Sequence, residues 1–450
     1  MRKNEPRLPE RDLRVVWHPC SQMKDYDDFP PVEIVAAKGP YLVTVDGREI
    51  IDAISSWWCK SLGHAHPRVR LAVERQLDKF EHVIMANACF DVLVELSERL
   101  AALAPPLNKV FYVDNGSTAV EVAMKMSLQF HLQTGHSRKR RFAALENGYH
   151  GETSLTLATG DCGLYGAPFA ELAPAIPKIK GIPYVQSPDA PTWDAMPDGD
   201  WRSLEAQLDA LGDELAAVVF EPILQGAGGM KVYSQDFLVK LREWADARGV
   251  HLIADEIMTG FGRTGKALAC QHAGIVPDFA CLSKGLTAGW GAMAAVLTST
   301  PIYEAFHGDY FSGKAFMHSN TYCGNATMAA AALETLKIYD DERVFERVER
   351  DSLGLRTRLE RIAENTGALR GIRGIGFAAA ADIVDPDTGN PFPKERRTGF
   401  ETYKRAIQLG AWLRPLGDTI YFLPPLNTTN KVLDDLARIA EQALADAVTS

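Results

Sequence analysis

Short apolar runs alternate with stretches of helical spacing through the middle of the chain. The runs of strand length cover residues 109–113, 142–145, 216–220, 251–254 and 279–282. Between them, apolar residues recur three and four positions apart, as at Val120, Ala123, Met124 and Leu128, which predicts amphipathic helices. Strands that alternate with helices predict an α/β fold with a mostly parallel sheet covered on both faces.

The two ends of the chain have a different pattern. Residues 41–45 and 49–51 flank a turn at Asp46-Gly47 and predict a β-hairpin. After a predicted helix over 326–339, the chain becomes helix-rich and predicts a smaller α+β domain, whereas the Pro- and Asp-rich stretch 186–200 predicts a surface loop. We therefore expect an N-terminal segment (1–75) that packs with the small domain, a large domain (76–330) and a C-terminal small domain (331–450).

Composition narrows the classes of protein that fit. The 450 residues carry a net charge of −10, and the longest basic run, 138–141, is short, so nothing predicts nucleic-acid binding. No apolar segment is long enough for a membrane span, and the polar N-terminus has no secretory h-region. The seven cysteines are scattered without a C-x-x-C pair, which favours a reduced cytoplasmic protein.

Polar residues follow the predicted strands at four places, and in parallel sheets ligands bind at those carboxyl ends. Gly116-Ser117-Thr118 opens a helix whose free N–H groups attract a phosphate, although such residues also serve as ordinary caps. Tyr149, in Asn147-Gly148-Tyr149-His150-Gly151, can stack on a planar ring or simply pack in a loop.

The remaining two places carry charged groups. Asp255 ends an apolar run, where a carboxylate needs a partner, either a protonated ring nitrogen or an ordinary salt bridge. Lys284 ends another run, where desolvation favours the neutral amine that Schiff-base chemistry needs, unless the side chain reaches solvent. A phosphate cradle, a stacking aromatic, a carboxylate and an amine together fit pyridoxal phosphate.

Two further motifs predict different chemistry but are weaker. Residues 260–265 match the dinucleotide-binding motif G-x-G-x-x-G and follow a strand. However, no helix pattern begins in the motif, and no acidic residue ends a second strand about 20 residues later. A nicotinamide site is therefore the weaker interpretation. His64 and His66 lack a third ligand at suitable spacing, so we expect no metal site.

Residues 252–265, followed by Lys284-Gly285, resemble the signature of the class III aminotransferases, which are pyridoxal-phosphate enzymes of fold type I, and the likeness extends over nearly the whole chain. Trp17-His18-Pro19, Ser55-Ser56-Trp57-Trp58, Gly63-His64-Ala65-His66-Pro67 and 147–153 resemble the subgroup that aminates 8-amino-7-oxononanoate in biotin biosynthesis. Further similar segments are Gly163-Leu164-Tyr165, Gln225-Gly226-Ala227-Gly228-Gly229-Met230 and Arg414-Pro415-Leu416-Gly417.

The resemblance implies a role for each matching residue. It implies that Lys284 binds the cofactor aldehyde, that Asp255 pairs with the pyridine nitrogen, and that Tyr149 stacks on the ring. Gly116 and Ser117 would hold the phosphate, joined by Thr321 of a neighbouring subunit in a homodimer with shared active sites. The substrate-binding residues would be Trp57, Trp58, Arg414 with Tyr421 nearby, Ser319 and Cys20.

Some residues depart from the subgroup's pattern. Cys20 replaces a common Tyr, Glu152 replaces an Asp, and Ser319-Asn320 replace small or Pro residues. The expected reaction is transfer of an amino group from S-adenosylmethionine to 8-amino-7-oxononanoate, although lysine could instead be the donor. A class III enzyme for ω-amino acids and a non-enzymatic protein that retains the fold are two competing interpretations.

Overall fold

The predicted strands and helices are present in the computed structural model, which describes residues 6–172 and 174–449. The strands are β1 Ile34–Lys38, β2 Tyr41–Thr44, β3 Glu49–Asp52, β4 Leu107–Val113, β5 Arg141–Leu145, β6 Lys178–Ile179, β7 Tyr184–Val185, β8 Leu215–Phe220, β9 Leu224–Gln225, β10 Lys231–Tyr233, β11 His251–Asp255, β12 Phe279–Leu282, β13 Ala294–Ser299, β14 Leu369–Ile375, β15 Ala378–Ile383, β16 Ala411–Trp412 and β17 Thr419–Phe422.

The helices are α1 Leu8–Val15, α2 Ser55–Trp58, α3 Pro67–Leu77, α4 Asp91–Leu103, α5 Gly116–Gln133, α6 Ser154–Thr159, α7 Gly163–Gly166, α8 Asp198–Asp209, α9 Gln235–Arg248, α10 Thr300–Glu304, α11 Ala326–Asp341, α12 Val344–Arg350, α13 Gly354–Thr366, α14 Thr398–Leu409 and α15 Asn430–Val448. In the described part of the chain, none combines the length and the apolar character that a membrane crossing needs.

A seven-stranded sheet in the order β4-β13-β12-β11-β8-β5-β6 forms the centre of the large domain. Strands β12, β11, β8, β5 and β6 are parallel, whereas β13 runs antiparallel to both of its neighbours. Every residue of β8 and β11 is buried, as expected for strands covered on both faces. The prediction of a mostly parallel sheet is confirmed.

The N-terminal hairpin joins the C-terminal part of the chain. Strands β2 and β3 pair antiparallel, and β3 pairs in parallel with β16, so residues from both ends of the chain form one four-stranded sheet. Helices α13 and α15 pack together, and α13 also covers the sheet of β14, β15 and β17. This arrangement brings the segment after β3 against the end of β17.

The predicted domain boundaries remain predictions. The boundary at residue 330 falls inside α11, which continues across it and packs on α3 and α4. Residues 1–5 and Ser450, at the outer ends of the predicted first and third domains, lie outside the described residues.

The prediction of a surface loop over residues 186–200 is partly wrong. Trp193 and Met196 are buried, and α8 already begins at Asp198. The Trp193 ring packs edge-on against His272, and its carbonyl accepts a hydrogen bond from the Ser234 hydroxyl. These two apolar side chains bury part of an otherwise polar segment, and the average composition of the segment does not reveal them.

Candidate active site

A cavity of about 450 Å³ opens at the carboxyl ends of the parallel strands. Eight of the predicted site residues line it: Cys20, Trp57, Trp58, Gly116, Ser117, Tyr149, Asp255 and Lys284. They come from the loop before β1, the segment after β3 and the ends of β4, β5, β11 and β12. The polar residues at the predicted strand ends therefore lie around one cavity, and their functional roles remain predictions.

The amino end of α5 forms a tight cradle at one side of the cavity. Asn115 caps the helix by accepting hydrogen bonds from the N–H and hydroxyl of Thr118, at 3.0 and 3.1 Å. The Ser117 hydroxyl lies 3.0 Å from the Thr153 hydroxyl and accepts the Thr153 N–H at 3.2 Å. A Cβ on Gly151, whose φ is +116°, would lie 2.2 Å from Ser117 Oγ. The absence of a side chain at this glycine leaves room for an anion at the helix end.

Asp255 is held in the cavity floor by two hydrogen bonds. His150 Nδ1–H donates to one carboxylate oxygen at 2.8 Å, and the Ile257 N–H donates to the other at 3.2 Å. The carboxyl group is nearly inaccessible to solvent, and a buried carboxyl group is stable only where it is hydrogen-bonded or paired. The sequence predicted Asp255 but gave His150 no separate role.

Tyr149 extends from the end of β5 with its hydroxyl engaged. The hydroxyl donates to Glu152 at 2.9 Å, and the ring meets the Tyr165 ring edge-on at 5.8 Å. Burial, together with the Glu152 carboxylate, raises the pKa of Tyr149, so the phenol stays protonated at neutral pH. Glu152, a departure from the subgroup, thus contacts the predicted stacking residue directly.

Glu221 is a buried site residue that the sequence analysis missed. Its carboxylate accepts the N–H groups of Tyr149 and Gly226, both at 2.9 Å. Burial raises the pKa of Glu221 to about 7, His150 opposing this and the Asp255 carboxylate adding to it. Glu221 follows β8 just as Asp255 ends β11, so the same strand-end rule would have found it.

Lys284 lies at the end of β12 and faces the cavity. Burial lowers the pKa of its amine, against the opposing pull of Asp255, Glu221 and Cys59. Its Nζ lies 4.6 Å from the centre of the Trp58 ring. Its φ of +43° is unusual for a residue with a side chain and is the kind of strain that functional sites retain. The position favours an uncharged, nucleophilic amine.

Trp57 and Trp58, the indole pair, form an aromatic wall of the cavity beside Lys284. The Trp58 N–H donates to the Tyr421 hydroxyl at 3.0 Å, and the two rings meet edge-on at 6.3 Å. The Arg414 guanidinium lies 5.1 Å from the centre of the Trp57 ring and donates to the Cys20 carbonyl. Arg414 and Tyr421 thus contact the indole pair but do not line the cavity, and their predicted roles in substrate binding remain predictions.

Ser319 and Thr321 do not line the cavity of this chain. Both are exposed, and the Thr321 carbonyl accepts a hydrogen bond from His82 Nε2 at 3.0 Å. Their predicted roles therefore depend on a second copy of the chain and remain predictions.

The glycine motif at 260–265 has a structural role. Arg263 is buried and donates to the carbonyls of Phe377 and Pro424, which ties this turn to the C-terminal part of the chain. Glu256, which precedes the motif, accepts the N–H groups of Ala269 and Cys270 at 2.9 and 2.8 Å. The motif starts no helix, so the nicotinamide interpretation loses its structural basis.

The two histidines considered as metal ligands have separate partners. His64 Nε2 binds Asp52 at 2.9 Å, whereas His66 Nε2 is 3.9 Å from Glu342. Within residues 6–172 and 174–449, no three His, Cys, Asp or Glu side chains are grouped as metal ligands.

Comparison with known proteins places the chain in a family. The model of the family described as aminotransferase class-III matches residues 22–444. The chain belongs to the class III aminotransferases. The predicted aminotransferase activity and fold are thereby confirmed.

Three similar proteins from different organisms share one name, and a fourth is an amine transaminase. The chain is 37% identical to the adenosylmethionine-8-amino-7-oxononanoate aminotransferase of Nitratidesulfovibrio vulgaris, over 97% of this chain and 81% of the relative. It is 38% identical to the protein of that name from Synechococcus elongatus, over 95% and 97%. The crystal structure of the Methanocaldococcus jannaschii protein matches with a TM-score of 0.90 and 29% identity, over 98% of both chains. An amine transaminase from an uncultivated Pseudomonas species, in PLP-bound form, matches with a TM-score of 0.88 and 30% identity, over 96% and 99%.

The family and the PLP-bound structural relative confirm the predicted cofactor, pyridoxal phosphate, and the residues of the cavity fit it. The cradle beside Gly151 suits the phosphate, and the buried Asp255 carboxylate suits a protonated pyridine nitrogen. The buried amine of Lys284 suits an aldehyde.

Proposed function

We propose that this chain transfers an amino group to 8-amino-7-oxononanoate, giving 7,8-diaminononanoate, with S-adenosylmethionine as the donor. The observation that carries the proposal is one cavity lined by the buried Lys284 amine, the indole pair and Asp255, with Lys284 Nζ 4.6 Å from the centre of the Trp58 ring. The names of relatives that match nearly the full chain support this substrate pair.

The protein's own residues supply binding and proton transfer. When bound, pyridoxal phosphate supplies an aldehyde that takes up the donor's amino group and a ring that accepts the electron pair left on the donor carbon. Asp255, oriented by His150, would pair with the pyridine nitrogen and keep it protonated. Lys284 would hold the aldehyde and serve as the general base and acid that moves the proton of the donor Cα.

The walls of the cavity would select the acceptor. The indole pair offers an apolar surface for the aliphatic chain of 8-amino-7-oxononanoate, and Arg414, beside Trp57, offers a planar guanidinium to its carboxylate. Ala227 lines the cavity and offers no carboxylate to pair with the Arg414 guanidinium, which contacts the Cys20 carbonyl.

We also infer a homodimer in which Thr321 of each subunit completes the phosphate site of the other. The segment that carries Ser319 and Thr321 exposes large apolar side chains, with Tyr310, Phe311 and Met317 at 92%, 96% and 88%. Exposed apolar patches of this kind mark protein interfaces. The cytoplasmic location expected from the sequence belongs to the same proposal.

Half-reactions test the substrates. Holoenzyme is mixed separately with S-adenosylmethionine and with lysine, and the conversion of the aldehyde cofactor to its amine form is followed by absorbance. We expect conversion with S-adenosylmethionine and a return to the aldehyde form when 8-amino-7-oxononanoate is added. Conversion with lysine but not with S-adenosylmethionine would show that lysine is the amino donor. Much faster amination of succinic semialdehyde or pyruvate than of 8-amino-7-oxononanoate would contradict the proposed acceptor.

Mixed subunits test the shared site. Lys284→Ala and Thr321→Glu subunits are each impaired, but a mixed dimer would hold one intact site if Thr321 acts across the interface. We expect activity to reappear on mixing. No recovery would contradict the shared site, since both sites of a mixed dimer would then carry one defect each.

A further inference from the structure

The indole pair lies in a left-handed backbone turn. Ser55, Ser56, Trp57 and Trp58 have φ values of +51°, +44°, +68° and +73°. Left-handed turns of several residues with side chains are rare because each Cβ approaches the following carbonyl oxygen. The turn contains no glycine, so other contacts must maintain it.

Asp52, at the end of β3, supplies the most direct of these contacts. One carboxylate oxygen accepts the Ser56 N–H at 2.9 Å, and the other accepts the Ser56 hydroxyl at 2.7 Å. Asp52 is fully buried, whereas Ser56 is exposed, so the carboxylate holds the turn from the protein side.

His64 fixes the carboxylate in turn. Its Nε2 lies 2.9 Å from the same Asp52 oxygen that binds the Ser56 hydroxyl. The His64 backbone is anchored by a two-way bridge to Gly39, with N···O distances of 3.0 and 2.8 Å. The two contacts that begin and end the turn, Ser55 Oγ to Leu423 O and Trp58 Nε1 to Tyr421, complete the frame.

From this geometry we propose that Asp52, supported by His64, is a positioning residue that sets substrate specificity by holding the left-handed turn, and with it the indole pair, against the cavity. Asp52 does not line the cavity, and within the described part of the chain its carboxylate binds only Ser56 and His64. The part that concerns specificity rests on the proposed function, because it requires that the indole pair contacts the acceptor.

The decisive variants are Asp52→Ala, Ser56→Gly and their combination. Asp52→Ala removes both contacts to Ser56. Glycine at position 56 adopts positive φ without a steric penalty, so in the double variant it should restore part of what Asp52→Ala loses. A merely structural carboxylate would show no such rescue. Asp278→Ala is the matched control, because Asp278 also accepts a backbone N–H, that of Leu252 at 2.7 Å, and a side-chain donor, but at the amino end of β11.

The first readout does not depend on activity. The chain has eight tryptophans, so holoenzyme labelled with 5-fluorotryptophan should give eight ¹⁹F resonances. Trp57→Phe and Trp58→Phe assign two of them. Asp52→Ala should shift or broaden these two and leave most others in place, and Ser56→Gly should partly reverse the change. The Asp278→Ala spectrum should keep both resonances.

The second readout separates KM from kcat. Asp52→Ala should keep the lysine-linked cofactor absorption and raise the acceptor KM on the order of tenfold, the size expected for a lost hydrogen bond to a charged group. Unchanged Trp57 and Trp58 resonances, or no rescue by Ser56→Gly, would overturn the proposal. If the resonances move while KM does not, the positioning role stands and the substrate contact assumed in the proposed function is wrong. If Asp52→Ala does not fold, Asp52→Asn replaces it and should give smaller changes of the same kind.

Discussion

The cradle beside Gly151 allows the size of one substitution to be worked out from geometry. In Gly151→Ala the new Cβ would lie 2.2 Å from Ser117 Oγ, 2.6 Å from Ser117 Cβ and 2.9 Å from Ser117 Cα. A neighbour's hydroxyl can rotate away, but its Cα cannot, so Ser117 and the amino end of α5 must move. The cofactor phosphate site is therefore displaced together with the side chain.

Backbone strain and overpacking both contribute to the free-energy cost of Gly151→Ala. The positive φ of Gly151 strains any residue with a Cβ by about 1–3 kcal/mol. Overpacking against Ser117 adds about 1–3 kcal/mol. Gly135→Ala isolates the backbone strain, since Gly135 has a φ of +86° at the other end of α5 and a Cβ there would meet nothing within 4 Å.

The assay is titration of the apoenzyme with pyridoxal phosphate, followed by absorbance, together with thermal unfolding. We expect Gly151→Ala to weaken cofactor binding by about 5- to 150-fold, which corresponds to the cost of overpacking alone. Gly135→Ala should lower stability but leave the cofactor Kd unchanged. An unchanged Kd in Gly151→Ala, or an equal loss in both variants, would refute the placement of the phosphate at this cradle.

Two other predictions concern Arg414 and a buried histidine. Arg414→Met should raise the KM for the carboxylate-bearing acceptor by about tenfold or more and change kcat less, because a charge-assisted hydrogen bond to the substrate is lost. Arg414→Lys should recover part of this increase in KM. Equal losses of kcat in both variants would contradict the role in substrate binding. Burial, with the nearby His251, lowers the pKa of His131 to about 3, so the unfolded chain binds the extra proton below pH 6.5 and stability falls as pH drops. His131→Gln should abolish about 2 kcal/mol of the loss in unfolding free energy between pH 8 and pH 5, measured by urea unfolding, whereas the exposed His136→Gln should leave that loss in place.

The strand-end residues were predictable because their position follows from the fold class alone. Asp255 and Lys284 end apolar runs, and once those runs pair in parallel their carboxyl ends must share one edge of the sheet. Glu221 obeys the same rule after β8 and could have been found by it. Simple periodicity therefore contains much of the cofactor site.

The substrate side was less accessible to such reasoning. A left-handed turn at Ser55–Trp58 has no glycine to announce it, and the contact from Asp52 that holds it depends on tertiary structure. Glu152 lies in the loop after β5 and Tyr165 in the short helix α7, and no local pattern predicts that either side chain reaches the cavity. Residues 319–321 are placed by a second chain in our proposal, so nothing within one chain's pattern could locate them.

The central claim is that the buried amine of Lys284 bonds covalently to pyridoxal phosphate. Borohydride reduction of the holoenzyme, followed by proteolysis and mass spectrometry, tests it most directly. We predict that the pyridoxyl group is found on the peptide that contains Lys284 and that Lys284→Ala loses both this label and the lysine-linked visible absorption. A label on another lysine, or an unlabelled Lys284 in a protein that retains its colour, would contradict the account.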